Sequence, residues 1–348
     1  MADNDAGVTP EQQVDLLWDY IKGFHAVHLI DTGVNLGLFE KIGAAEAGIT
    51  PGDLATELKL HGHYVDIWCK TAYAYRLLED AGEGRFRLAP HFDTILVDRK
   101  HPRYLAPYAI AATTFLTDDL RRYPDFFRTG DVYSYQDHGQ EFSNHIATMT
   151  SGFHGIIARK MLPSLPGLEA RLNDGAKVLD MGCGAGGLLI RIAKAFPNCV
   201  CVGVDVDAHG VDLARENIAA AGLGERVSVE LLDGDSIGHE NEFDVVTLFE
   251  VLHEIPVPVR PQVLANCHKA LKPDAPLFIL DETYPSDLES LRKREYNFAI
   301  QTAYNELIWG NVVPTAQDQD KLLGEAGFAD VQRMTVAEYF TAITAWKR

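Results

Sequence analysis

Apolar positions follow two different rules along this chain, and the change of rule divides it. From Glu11 to about Leu38 the residues Val14, Leu17, Trp18, Ile21, Phe24, His25 and Leu29 keep a three-four spacing. That spacing predicts a helix. Thr50, Pro51 and Asp53 then read as N-cap, first position and first turn of another helix, running from Leu54 to Leu60. A further helix is predicted from Tyr64 to Glu79, with Val65, Ile67, Trp68, Ala72, Tyr75 and Leu78 as candidate buried positions. A Gly82-Glu83-Gly84 turn and a short strand over Arg85–Ala89 follow. Helix, helix, hairpin is the order of a winged helix. Residues 101–172 read as a helical connector rich in Tyr, Phe and His, with a helix from Ser143 to Leu162.

From Lys177 the rule changes. Short apolar runs near 177–181, 200–205, 227–231, 243–249 and 275–281 alternate with helical patterns near 187–196, 208–221, 258–271, 287–308 and 317–326. Val331–Val336 and Tyr339–Trp346 close the chain as a hairpin. Alternation of this kind predicts a mainly parallel sheet. The expected organisation is therefore a winged-helix-like domain over 1–100, the connector and pocket wall over 101–172, and an α/β domain over 173–348.

The first strand runs into Val178-Leu179-Asp180-Met181-Gly182-Cys183-Gly184-Ala185-Gly186-Gly187. Glycines there permit positive φ and let a ligand lie on the backbone. The spacing Gly182-x-Gly184-x-Gly186 differs from the dinucleotide fingerprint G-x-G-x-x-G. No Lys-Ser/Thr pair follows, which excludes a P-loop. Asp180, two residues ahead of the glycines, suits a ligand carrying an amine. This stretch resembles motif I of the class I S-adenosyl-L-methionine (SAM) methyltransferases, whose pattern runs V-L-D-x-G-C-G-x-G. The resemblance implies a seven-stranded Rossmann-like methyltransferase sheet with SAM as cofactor, held by Asp180, Gly182, Gly184 and Gly186.

Further site residues come from strand ends, where open α/β sheets bind ligands. Asp205 ends the second strand and matches the family's acid for the ribose hydroxyls, with Val206 beside it; Asp207 is the lesser choice and a possible helix N-cap. Asp235, with Ser236, matches the residue that accepts the adenine amino group. The fourth strand ends in Phe249-Glu250-Val251-Leu252-His253-Glu254. Phe249 is assigned to the cofactor, and Glu250 and His253 to catalysis. In the plant-type O-methyltransferases a histidine matching His253 is a general base, and a near-neutral imidazole suits proton removal. Those enzymes usually continue Asp-Trp where this chain has Glu254-Ile255, so a histidine that only orients the loop or substrate is the other reading. Tyr135, in a glycine-bounded aromatic loop, is the further candidate for touching the acceptor.

Composition narrows partners more than fold. Lys and Arg total 31 against 50 Asp and Glu, a net charge of −19. That disfavours nucleic acid and anionic membrane. Residues 1–100 hold nine Lys/Arg against sixteen Asp/Glu, and the second helix of the winged helix is not basic. It therefore reads as a homodimerisation module, as in many small-molecule methyltransferases, rather than a DNA-binding regulator. Met1–Pro10 is polar with no signal-peptide pattern, and no apolar run reaches the roughly 20 residues of a membrane span. Five cysteines without zinc spacing read as reduced thiols of a cytoplasmic protein. No metal is expected: Asp281-Glu282 is the close acidic pair at a strand end, and neighbours in a strand face opposite ways. The expected reaction is methyl transfer from SAM to oxygen or sulfur of a small molecule. An alternative is S-methylation of a thioether acid to a sulfonium, as in dimethylsulfoniopropionate synthesis.

Overall fold

A computed structural model describes residues 7–348; the opening polar residues 1–6 of the sequence lie outside it. The chain divides into two compact units, one ending at Asp118 and the other running from Asp119 to Arg348. Residues 101–172 fall on both sides of that division.

The first unit begins with the helix Pro10–Asn35, whose Thr9 cap accepts from the Gln12 amide in a capping box. Helices Leu38–Ala44, Pro51–Leu58 and Gly62–Ala74 follow. Thr50 caps the third of these by accepting from the Asp53 amide, as its position before Pro51 predicts. The next helix stops at Ala74, earlier than its periodicity suggests, because Leu78–Gly82 is strand β1 and pairs with β2, Arg85–Leu88. Val65, Trp68 and Ala72 are buried as expected, but Ile67 is half exposed. The core gathers Leu38, Phe39, Ile42, Leu54, Trp68 and Leu78. Trp68 donates its indole N–H to the Leu29 carbonyl at 3.1 Å. Gly33 lets its helix approach this core, since a Cβ there would lie 2.4 Å from Phe39 and 2.5 Å from Trp68. Helices Phe92–Leu96 and Ala106–Ala111 complete the unit.

The second unit is built on a seven-stranded sheet: β3 Lys177–Met181, β4 Val200–Asp205, β5 Val227–Leu231, β6 Val245–Phe249, β7 Pro276–Asp281, β8 Phe328–Val336 and β9 Phe340–Lys347. Their order is β5-β4-β3-β6-β7-β9-β8. The first five are parallel, and β9 runs antiparallel to both β7 and β8. Side chains alternate across the pleat. Val178 and Cys201 enter one core with the helix Gly187–Ala195, and Leu179 and Val202 the other with the helix Arg260–Ala270. Both faces are covered, which is why the parallel strands read as nearly continuous apolar runs. All five cysteines are buried and free.

One expected helix is broken. Residues 287–308 contain only the helix Asn297–Asn305, flanked by short 3-10 turns at Ser290–Arg292, Arg294–Tyr296 and Leu307–Trp309. Polar contacts explain the interruptions: Asp287 accepts from the backbone and hydroxyl of Ser290 at 2.8 and 2.9 Å. Gly310, at φ 85°, ends the segment.

Candidate active site

Strand order reverses at β3, which pairs with β4 on one side and β6 on the other. The crevice at the carboxyl ends of such neighbours is where open α/β sheets take ligands. The glycine loop leaves β3 there. Gly182 and Cys183 donate to the Val204 carbonyl at 2.8 and 3.1 Å, tying the loop to the end of β4. Gly182, Gly184 and Gly186 have φ of 71°, 47° and 73°. L side chains rarely adopt that region. A Cβ on Gly182 would also lie 2.3 Å from Val251, so the loop after β6 packs directly on the glycine loop. At Gly184 a Cβ would meet nothing within 4 Å, so the backbone faces open space.

Asp205 stands beside that opening. Its carboxylate accepts from the Gly184 amide at 2.7 Å and the Asp207 amide at 2.8 Å, one on each oxygen. An ionised carboxylate has about four acceptor sites, so two remain for a ligand. Burial nevertheless pushes its pKa above the usual carboxylate value. Val206 beside it is exposed. Asp207 does cap the helix Ala208–Ala220, accepting from His209 and Gly210. Asp235 and Ser236 are exposed on the turn after β5. Asn266 holds that turn by donating to the carbonyls of Gly234 and Asp235 at 3.1 and 2.8 Å.

Asp180 is placed differently from expectation. It lies beneath the loop, 2% exposed, and accepts from the Thr247 hydroxyl at 2.6 Å. Burial pushes its pKa up to about 7. It supports the loop from a central strand covered on both faces, rather than standing at the mouth.

His253 is enclosed by acids. Its Nδ1 lies 2.6 Å from Asp281 Oδ1 and 3.3 Å from Glu282 Oε2; its Nε2 lies 3.3 Å from Glu306 Oε2. Burial opposes the imidazolium charge, but Asp281 and Glu282 outweigh it and raise the pKa well above the ordinary value. The acids thus favour the charged form of the imidazole, and both ring nitrogens already face carboxyl oxygens. Arg260 braces the loop, donating to the carbonyls of His253, Ile255 and Val312 at 2.9, 2.8 and 2.6 Å. The expected opposition of Asp281 and Glu282 does not occur, because β7 ends at Asp281 and Glu282 has left the pleat. Glu282 is fixed by the Thr302 hydroxyl at 2.8 Å and Glu306 by Asn311 at 2.8 Å. Two trios around His253, one with Asp281 and Glu282 and one with Glu254 and Glu306, have the composition of a metal site. The short Nδ1–Asp281 hydrogen bond, however, directs that ring edge to a carboxylate already.

Glu250 takes φ 58°, a strained value for a side-chain-bearing residue. Burial, then Glu282 and Asp281, raise its pKa well above the usual range. Glu254 and Glu282 are pushed up to about 8, chiefly by burial. Tyr135 reaches the same region: burial and the charges of Glu254, Asp207 and Asp205 push its phenol up, and Ser143 hydrogen-bonds it. Its ring packs on Phe142 and Trp309 at centroid distances of 5.0 and 6.4 Å. Asp119 fixes this wall, accepting from Trp309 Nε1 at 2.8 Å and lying 3.0 Å from His138 Nε2. Phe249 ends β6 and meets the His154 ring edge-on at 5.3 Å.

The expected set Gly182, Gly184, Asp205, Tyr135, Glu250 and His253 is thus gathered at one end of the sheet. Neither Glu306 nor Asp119 stands in a motif: Glu306 caps the helix Asn297–Asn305, and Asp119 lies in a helix over Thr117–Thr129.

Residues 179–277, which carry this loop and the ends of β3 to β6, match the family described as a methyltransferase domain. Over those residues the chain is similar to that family. The ubiquinone biosynthesis O-methyltransferase of Actinobacillus pleuropneumoniae serotype 7 is 35% identical over 108 residues, 30% of this chain and 44% of that enzyme, so the chain spans less than half of that relative. The 3-hydroxy-5-methyl-1-naphthoate 3-O-methyltransferase of Streptomyces sahachiroi is 26% identical over 285 residues, 79% of each chain. Two solved structures share the fold. Human N-acetylserotonin methyltransferase in complex with SAM superposes with a TM-score of 0.77, covering 100% of this chain and 99% of its own, at 17% identity. The mitomycin 7-O-methyltransferase MmcR does so with a TM-score of 0.74, covering 97% and 98%, at 17% identity. The matched residues carry the glycine loop, Asp205 and His253.

Proposed function

We propose that the protein transfers the methyl group of SAM to oxygen or sulfur of a small-molecule acceptor. The observation that carries this is the grip on Asp205. The glycine loop donates to one of its oxygens, the turn after β4 donates to the other, and spare acceptor sites remain beside open backbone at Gly184. That donor and acceptor set fits a ribose diol on Asp205 and a chain laid along Gly182–Gly186. Asp235 and Ser236 fit the adenine edge, and Val206 and Phe249 its apolar contacts. When bound, the cofactor supplies a methyl group activated by a positively charged sulfur. The chain's own work is to align the acceptor with that group and to exclude water, which accounts for much of the acceleration in such reactions. Tyr135, Trp309 and Phe142 wall the acceptor side, and the loop after β6 that carries Glu250 adjoins it.

The proposal extends to a homodimer built on the first unit. Leu17, Trp18 and Phe24 on the helix Pro10–Asn35 are 59%, 62% and 57% exposed, with Val14 and Tyr20 beside them. Apolar residues of that size along one helix favour burial against a second copy. The acidic balance of the unit argues against nucleic acid as the partner. Among the described residues no helix is long and apolar enough to cross a membrane.

The test is calorimetry with SAM and NAD, followed by a methyl-transfer screen with labelled SAM across hydroxyl, thiol, thioether and amine acceptors. Micromolar SAM binding, no NAD binding and a labelled product are expected. Binding of NAD in preference to SAM would overturn the reading.

A further inference from the structure

Five carboxyl groups converge where the loop after β6 meets the ends of β7 and the segment around Glu306. Asp281, Glu282 and Glu306 are within 3.3 Å of the His253 ring, and Glu250 and Glu254 act electrostatically on the same imidazole. Arg260 spends its guanidinium on backbone carbonyls instead. The acids are not fully satisfied. Glu282 Oε2 has only the His253 ring, 3.3 Å away, and Glu250 makes no hydrogen bond through the buried Oε1. Buried acceptors without partners cost stability. Glu250 holds its place at a strained backbone angle as well. The cluster adjoins the cofactor crevice, because Val251 packs on Gly182 and Asp205 influences Glu254. Tyr135 senses both Glu254 and Asp205, which brings aromatic faces to the same place.

We propose that this acid-lined, aromatic-walled end of the crevice selects an acceptor that becomes a cation on methylation, a thioether or a tertiary amine. The inference rests on the methyl transfer from SAM proposed above; the thioether falls within the sulfur acceptors of that reading, and the tertiary amine lies outside it. In such a transfer the acceptor's lone pair forms the bond to the methyl carbon. The methyl–sulfur bond breaks and its electron pair stays on the donor sulfur, which becomes neutral. The positive charge moves to the acceptor and no proton is released. A charge that only changes place would stay beside Glu250, and aromatic faces stabilise onium groups by the same electrostatics. A hydroxyl acceptor needs a base, and both nitrogens of the imidazole here already face carboxyl oxygens.

The test compares choline with its uncharged isostere 3,3-dimethylbutan-1-ol, titrated into the full chain saturated with S-adenosylhomocysteine. Choline should bind more tightly by about tenfold or more, the scale of one charged contact. Glu250→Gln and, separately, Glu254→Gln should each bring the two probes closer together, with thermal unfolding confirming that the variants fold. Equal binding of the two probes by the wild type, tighter binding of the neutral one, or no measurable binding of choline at millimolar concentration overturns the inference. A second arm offers one carbon skeleton ending in thioether, tertiary amine or hydroxyl, with labelled SAM. Turnover of the thioether or the amine separates the two sources of the same chemistry, and turnover of the hydroxyl alone overturns the inference. Loss of S-adenosylhomocysteine binding would instead strike the methyltransferase reading itself.

Discussion

Asp205 and His253 are both acids-and-bases residues at strand ends, yet their surroundings give them opposite tasks. Asp205 keeps acceptor sites free while two backbone amides fix its carboxylate. Asp205→Ala should therefore weaken SAM binding by about 1–3 kcal/mol, the scale of a hydrogen bond to a charged group. Unchanged calorimetric affinity would remove Asp205 from the ribose. His253 has both ring nitrogens directed at carboxylates, so its cluster shapes stability against pH. Glu254 and Glu282 are raised to about 8 from about 4.3 in an unfolded chain. The folded state keeps their protons where the unfolded state has lost them, so stability falls as pH rises between those values. His253 acts in the same direction. Its raised pKa contributes stability fully below about 6.5, lost as pH rises through the folded value. The melting temperature should accordingly decline from about pH 5 to 8, and Glu282→Gln should flatten that decline. A wild-type melting temperature that rises over this range would contradict the cluster as described.

At the scale of elements, the site depends on two loops that touch. The glycine loop after β3 and the loop after β6 meet at Gly182 and Val251, where a Cβ would come within 2.3 Å. Gly182 also sits at φ 71°, which costs an L residue about 1–2 kcal/mol. Gly182→Ala should thus destabilise the fold by at least that amount and displace Val251, with Glu250 and His253 following. Adding Val251→Ala should recover part of the loss in a denaturant titration, but not the backbone share. Failure of the double variant to recover anything would place the whole cost in the backbone. Strands β3 to β7 are legible in the sequence within two residues, because a strand covered on both faces must be a short apolar run. The stretch 287–308 is not, because its periodicity says nothing of the Asp287–Ser290 turn that cuts it. Likewise the helix expected to reach Glu79 ends at Ala74: Leu78 serves a strand as well as it would a helix.

For the whole molecule, the first unit carries a surface that its own core does not use. The helix Pro10–Asn35 buries Gly33 but leaves Leu17, Trp18 and Phe24 largely exposed. A three-four spacing normally marks the face a helix turns to its own core. Here much of that face is free in the single chain. Light scattering should report a dimer at micromolar concentration, and Trp18→Glu should yield a monomer that still binds SAM. A wild-type monomer would dismiss the interface.

What the sequence determined by itself is local. Apolar runs and their spacing located the sheet, the glycine pattern located the loop, and a strand ending in Asp205 located its acid; each depends on neighbours a few residues apart. The tertiary structure decided the chemistry around His253. Asp281 lies 28 residues away along the chain, and Glu306 further still, and they reach the imidazole only because β6 and β7 are adjacent and the chain beyond Gln301 returns over their ends. Periodicity records which face of an element is buried but not which distant side chain shares that burial. A histidine that reads as a candidate base in its motif is, in the folded chain, enclosed by the carboxyl groups of Asp281, Glu282 and Glu306.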